Sequence, residues 1–235
     1  MNYVNYFIHF DGKEVDGAAG FGIIELGTYG KHRLKLASRG FLGDIMQAAR
    51  DEKFYTYDDY CTWDDDERWE IIDGAAYAMS PSPLRSHQSI SGRLYTQLSN
   101  FLRGKTCEVF AAPFDVRLCA DGDDGTVVQP DILVVCDQSK FDPDGRGVVG
   151  APDLIIEILS PSTARHDLVT KFRLYQREGV REYWTVDPDR KTVAAHVLVN
   201  DWYVTRSYDD QDSSVPVQTL EGCTINLTDV FAGLI

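Results

Sequence analysis

The stretch Thr126–Asp137, TVVQPDILVVCD, decides the fold. Val127, Val128, Ile132, Leu133, Val134 and Val135 read as a short, continuous apolar strand of the kind buried in the middle of a sheet. Asp131 is set into that run directly after Pro130. An ionised carboxylate in such a place is costly unless a cation or hydrogen bonds compensate it. Either Asp131 caps the strand mouth, or something positive sits against it.

A second apolar run, LIIEILS at 154–160, repeats the pattern with Glu157 as its single acid. Two buried-type strands with one acid each suggest a metal. Magnesium wants oxygen ligands, commonly keeps several waters, and takes one or two carboxylates from the protein. Asp153 shares the face of Glu157, but four residues along a strand is about 13 Å, too far for one ion.

The segments around these runs give the architecture. TYDDYCTW at 56–63 places Thr56 and Asp59 in capping-box spacing, and RWEIIDGAAYAM at 68–79 predicts a hairpin turning at Asp73-Gly74. In 81–104, Ile90, Leu94, Leu98 and Phe101 recur every three or four residues and Gly104 follows, which predicts an amphipathic helix. CEVFAAPFDVRLC at 107–119 reads as one strand. HDLVTKFRLYQREGV at 166–180 predicts a helix closed by Gly179, with Leu168, Phe172 and Tyr175 on its core stripe and Lys171 at the stripe's edge. REYWTVDPDRKTVAAHVLV then gives two strands around Pro188-Asp189, and 201–235 a last strand pair and a short tail. The order is that of an α/β protein built around one mixed sheet flanked by helices.

The N-terminal part differs. Residues 6–15 and 21–27 predict short strands and 41–53 a short helix, with no chemistry attached. The expected organisation is an extension over 1–50, a main domain over 51–200, and strands over 201–235 that complete it.

The chain of 235 residues carries a formal charge of −14, which argues against tight nonspecific binding to nucleic acid through a basic surface. It leaves room for an acidic pocket whose divalent ions bridge to phosphate. No stretch approaches the roughly 20 apolar residues of a membrane span, and residues 1–14 lack the layout of a secretory signal, so a cytoplasmic location is expected. The five cysteines are scattered singly with no CxxC pair and are expected to be reduced, with Cys136 in the core.

A cation is also needed where charge develops during phosphodiester hydrolysis. Of the basic residues on the 166–180 helix, Lys171 alone can point inward; the other reading is a lysine that lies along apolar surface with its head in water. His87 lies one turn ahead of Ile90 on the same helix face, so it points toward the sheet, where it could orient a phosphate, assist proton transfer or serve structure alone.

The runs ERWEIIDGAAYAMSPSPLRSHQ, VVQPDILVVCD, GAPDLIIEILSPST and KFRLYQREGVREYWTVDP, in that order, resemble the Uma-type family of restriction-endonuclease-like proteins within the PD-(D/E)XK nuclease superfamily. The resemblance covers roughly residues 54–200. It implies a restriction-endonuclease-like fold, Mg2+ (or Mn2+) as cofactor, and DNA as substrate. It also implies Asp131 and Glu157 as metal ligands, with Glu70 as a further acid. Two residues after Glu157, where the superfamily lysine is expected, stands Leu159. The resemblance implies that Lys171, on the following helix, replaces it; without that replacement the fold would serve binding alone. Hydrolysis of RNA shares the same metal chemistry, and two strands of duplex DNA favour a homodimer.

Overall fold

In the computed structural model, the run 126–137 is cut in two at Gln129-Pro130-Asp131. Its halves, β5 (Val127–Val128) and β6 (Ile132–Val135), join different sheets. Pro130 has no N–H to give to a ladder, so one strand cannot run through it. The structure describes residues 53–63, 68–79, 83–118 and 125–234. The strands and helix expected within 1–52 lie outside the described residues.

Four of the expected elements form as read. Thr56 caps α1 (Tyr57–Tyr60) in a complete capping box with Asp59. β1 (Trp69–Ile72) and β2 (Ala75–Ala78) form the hairpin, turning through positive φ at Asp73 and Gly74. α2 (Arg85–Leu102) buries Ile90, Leu94, Leu98 and Leu102, and Gly104 follows at positive φ. β9 (Glu182–Asp187) and β10 (Thr192–Val199) pair antiparallel around a turn in which Asp187 accepts from the backbone of Asp189 and Arg190.

The expected strand 107–119 is likewise two, β3 (Glu108–Ala111) and β4 (Asp115–Arg117), divided at Pro113 for the same reason as at Pro130. These breaks let the chain cross from one sheet to another. With β7 (Gly147–Val149), β8 (Leu154–Ile158) and β11 (Trp202–Tyr208), they build a five-stranded sheet β2-β1-β5-β4-β7 and a six-stranded sheet β11-β10-β9-β8-β6-β3. The architecture is α/β with mixed sheets flanked by few helices: β8 and β9 run parallel while their neighbours run antiparallel. The expectation of a single sheet is corrected. The second sheet's strands are only two to four residues long, too short for alternation to announce them.

The central strands of the six-stranded sheet, β6, β8 and β9, are buried on both faces. Ile132, Val134, Leu154 and Ile156 pack against α2, against β12 (Ser214–Pro216) with β13 (Thr224–Asn226), and against α4 (Leu227–Val230). Leu133, Val135 and Ile155 face the other way, toward the five-stranded sheet and α3 (Phe172–Arg177). Burial on both faces explains the near-continuous apolar runs of β6 and β8.

Two further expectations change. Cys107 and Cys136 stand opposite each other at the end of the β3–β6 ladder and form a disulfide, so they are not both reduced as expected. Leu168, expected in the core stripe, is 47% exposed. No helix among the described residues is long and apolar enough to cross a membrane.

Candidate active site

The register of the sheet brings the two strand acids together. β6 and β8 pair antiparallel with Ile132 opposite Ile156, so one step further along Asp131 faces Glu157. Both project to the side of the sheet that carries α3. The Ile158 amide donates to Asp131 Oδ2 at 2.8 Å, and the Asp131 amide reaches Glu157 Oε2 at 3.4 Å. Asp153 lies at the other end of β8, bound to Arg181 and to the Cys136 amide, apart from this pair.

Glu70 arrives from the other sheet. β1 carries it beneath the strand mouth, where Oε1 accepts from the Gln129 amide at 2.9 Å, just before the break at Pro130. Lys171 closes the group: Nζ donates to Glu70 Oε1 at 2.8 Å and to Glu157 Oε1 at 2.9 Å, with Asp167 Oδ1 at 3.8 Å. The lysine is 3% exposed, not the solvated residue of the alternative reading.

A local departure from α-helix places it there. Residues His166–Lys171 form a π-helical turn, in which the Phe172 amide reaches back five residues to the Asp167 carbonyl, and α3 continues from it. The wider turn shifts the inward face by one residue. Asp167 and Lys171 both turn to the site, and Leu168 swings out to solvent, which is why the α-helical stripe misplaced it. Such turns recur at functional sites.

Tyr175, one turn on, donates its hydroxyl to Glu157 Oε1 at 2.8 Å. His87, from the start of α2, sets Nε2 3.1 Å from Asp131 Oδ2. All five candidates from the sequence, Glu70, His87, Asp131, Glu157 and Lys171, therefore meet at one place. Asp167, Tyr175 and His166 were missed. Four-residue spacings in the run HDLVTKFRLY, Asp167 to Lys171 to Tyr175, were the signal available for two of them.

The electrostatics follow from crowding: three carboxyl groups, Glu70, Glu157 and Asp167, face the Lys171 ammonium, and Asp131 faces His87. Burial, reinforced by the neighbouring acids against the pull of Lys171, pushes the Glu157 carboxyl up to about 8. Burial likewise lifts Asp167 to about 6, although Lys171 and a hydrogen bond from Thr163 oppose it. Burial works against the charge on Lys171, but Glu157, Glu70 and Asp167 outweigh it and hold the amine well above its usual range. Burial also disfavours protonated His87, but the hydrogen bond to Asp131 and the charges of Asp131 and Asp167 together outweigh it, raising the imidazole. For His166, burial and Lys171 together lower it against the pull of Glu70.

Comparison with known proteins shows the family to which the chain belongs. The model of the Uma2 family, described as "Putative restriction endonuclease", matches residues 54–228, about three quarters of the chain. The chain belongs to the Uma2 family. This Uma2 chain is 33% identical over 120 residues to the uncharacterized protein slr1290 of Synechocystis, a match covering 50% of this chain and 60% of that protein's length. It is 27% identical over 142 residues to the uncharacterized protein sll1609 of the same organism, covering 59% and 78% respectively. A crystal structure described as a "putative nuclease" from Anabaena variabilis superposes with a TM-score of 0.61 at 23% identity, covering 77% of this chain and 99% of that one, which shows a shared fold.

Restriction-endonuclease-like nucleases typically use divalent metals, and the donor set of this Uma2 site fits one in chemistry. Among the described residues no three His, Cys, Asp or Glu side chains are grouped to enclose an ion between them. The demand of a hard ion that keeps its waters is lower, at one or two carboxylates. Lys171 and Tyr175 take Glu157 Oε1, Ile158 and His87 take Asp131 Oδ2, and Lys171 and Gln129 take Glu70 Oε1. Asp131 Oδ1 and Glu70 Oε2 are left outside these bonds, and Glu157 Oε2 accepts only the long contact from the Asp131 amide at 3.4 Å.

Proposed function

We propose that this chain is a divalent-metal-dependent endonuclease that hydrolyses phosphodiester bonds of DNA, with Mg2+ or Mn2+ as cofactor. The observation that carries the reading is the crowding of acids at the strand mouth, where Glu70, Glu157 and Asp167 surround the amine of Lys171, Asp131 stands beside His87, and the carboxyls of Glu157 and Asp167 are raised. Buried carboxylates in that number call for a further cation.

In this reading Asp131 and Glu157 hold the metal and Glu70 assists. When bound, the ion supplies a Lewis acid for the phosphate and a more acidic water. The chain's own groups do the rest. Lys171 fixes the facing oxygens of Glu70 and Glu157 and positions or activates the attacking water. His87 orients Asp131 through its Nε2 contact. Tyr175 restrains Glu157 from behind. The nuclease unit spans 51–200, with 201–235 completing it, and acts as a cytoplasmic homodimer that presents one site to each DNA strand.

A second reading has its own support. The Lys171 amine donates to two carboxylates at 3% exposure, and Leu159 fills the usual lysine position, so the fold could bind nucleic acid without cutting it. Plasmid DNA and RNA of matched length, incubated with magnesium or manganese and with wild type, Asp131→Ala or Lys171→Ala, separate the readings. Nicking of DNA by wild type alone supports the endonuclease. Equal nicking by all three removes the site assignment, and cleavage of RNA alone changes the substrate.

A further inference from the structure

Two ring nitrogens at the edge of the acid cluster, His87 Nδ1 and His166 Nε2, have no hydrogen-bond partner, and only the second stands near a carboxylate oxygen that is itself outside the site's hydrogen bonds. His166 Nε2 is buried from solvent and makes no hydrogen bond. Glu70 Oε2 stands 3.9 Å away, beyond hydrogen-bond reach. The facing groups are held on both sides. Tyr77 is the cross-strand partner of Glu70, so it shares that sheet face, and its ring lies 4.9 Å from the imidazole at a 46° tilt. The π-helical turn fixes the backbone of His166, and the Gln129 amide and Lys171 fix the other oxygen of Glu70. A buried polar atom left unpaired costs about 1–3 kcal/mol, and such exceptions call for a specific explanation such as an ion.

We propose that His166 Nε2 and Glu70 Oε2 are joint ligands of a divalent transition ion, so that the site prefers manganese to magnesium. The proposal rests on the metal of the nuclease reading and specifies its class. Two donors on one ion, with bonds of about 2.1 Å, lie roughly 3 to 4.2 Å apart depending on the angle between them. The observed 3.9 Å falls within that span. An imidazole nitrogen suits manganese, cobalt or zinc, while magnesium takes oxygen and water. Waters complete the shell, as the lack of any third grouped side chain requires among the described residues.

The test is manganese binding to the full chain, followed by calorimetry and by pulsed electron paramagnetic resonance, which detects a nitrogen bonded to the ion. The wild type is expected to show nitrogen coupling that is retained in His87→Ala and lost in His166→Ala. Removing His166 is expected to weaken manganese about tenfold or more and to leave magnesium within about twofold. Selective nitrogen-15 histidine labelling should change the coupling of the unsubstituted protein, which needs no variant to fold. Manganese binding that Asp131→Asn abolishes, with no nitrogen coupling in wild type, overturns this proposal and leaves the nuclease reading standing. Coupling lost only in His87→Ala also overturns it. Nitrogen coupling to His166 in a protein that cuts neither DNA nor RNA supports the ligand pair and sinks the nuclease. Absence of any manganese binding overturns both.

Discussion

Asp131 and Glu157 are locked to each other through the backbone: the amide following Glu157 donates to Asp131 Oδ2 at 2.8 Å, and the amide of Asp131 reaches Glu157 Oε2 at 3.4 Å. The two acids are thereby set side by side before any ligand arrives, which is the preorganisation an electrostatic site needs. Asp131→Asn keeps an oxygen to accept from Ile158 and removes the charge. Cleavage should fall about 100-fold or more with the denaturation midpoint nearly unchanged. Plasmid nicking and thermal melts on the same preparation check both halves.

Among the described residues Lys171 is the ammonium that three buried acids surround, so its loss should be felt in folding before it is felt in chemistry. Lys171→Ala leaves buried carboxylates uncompensated and should destabilise by about 3–5 kcal/mol. Adding Glu70→Gln to Lys171→Ala should recover part of that loss. Urea denaturation of the single and double variants measures the difference, and equal stabilities would mean the charges are not coupled.

Tyr175→Phe removes only a hydroxyl that donates to Glu157 at the back of the site. The buried oxygen loses a donor, at a cost of about 1–3 kcal/mol. Denaturant midpoints give the cost directly. Because burial is the first cause of the raised Glu157 carboxyl, the substitution should leave it high.

His196 provides a pH dependence unrelated to the site. It is buried among Phe172, Tyr183 and Tyr203, with Nδ1 2.7 Å from the Thr205 hydroxyl, and burial lowers it from 6.5 to about 4. The folded value lies below the unfolded one. Its contribution is therefore complete above about 6.5 and is lost as pH falls toward 4. The loss is on the order of 2–3 kcal/mol by pH 4.5. Glu157 and Asp167, raised on folding, act in the opposite direction. The His196 part is thus read as the difference between wild type and His196→Asn in denaturant midpoints at pH 7 and pH 4.5.

The sequence by itself determined most of the local elements and named five of the residues that meet at the candidate site. Capping chemistry at Thr56, the Asp73-Gly74 turn, the 3.6-residue stripe of α2 and the two apolar strands interrupted by Asp131 and Glu157 are all written in neighbouring residues, where short-range sterics and burial dominate. Only the tertiary structure decided how they meet. Prolines 113 and 130 divide strands that read as continuous, and the pieces of two to four residues gain stability only from the sheet they join. The π-helical turn exchanges Leu168 for Asp167 on the inner face, because the charge of Lys171 rewards a buried acid there more than the helix period rewards a leucine. Cys107 finds Cys136 through register across a ladder, and Glu70 finds Lys171 across 101 residues. Periodicity reports which side of its own element a residue occupies. Which charge stands on the other side is fixed by packing between elements, and that packing assembles the acid cluster around Lys171.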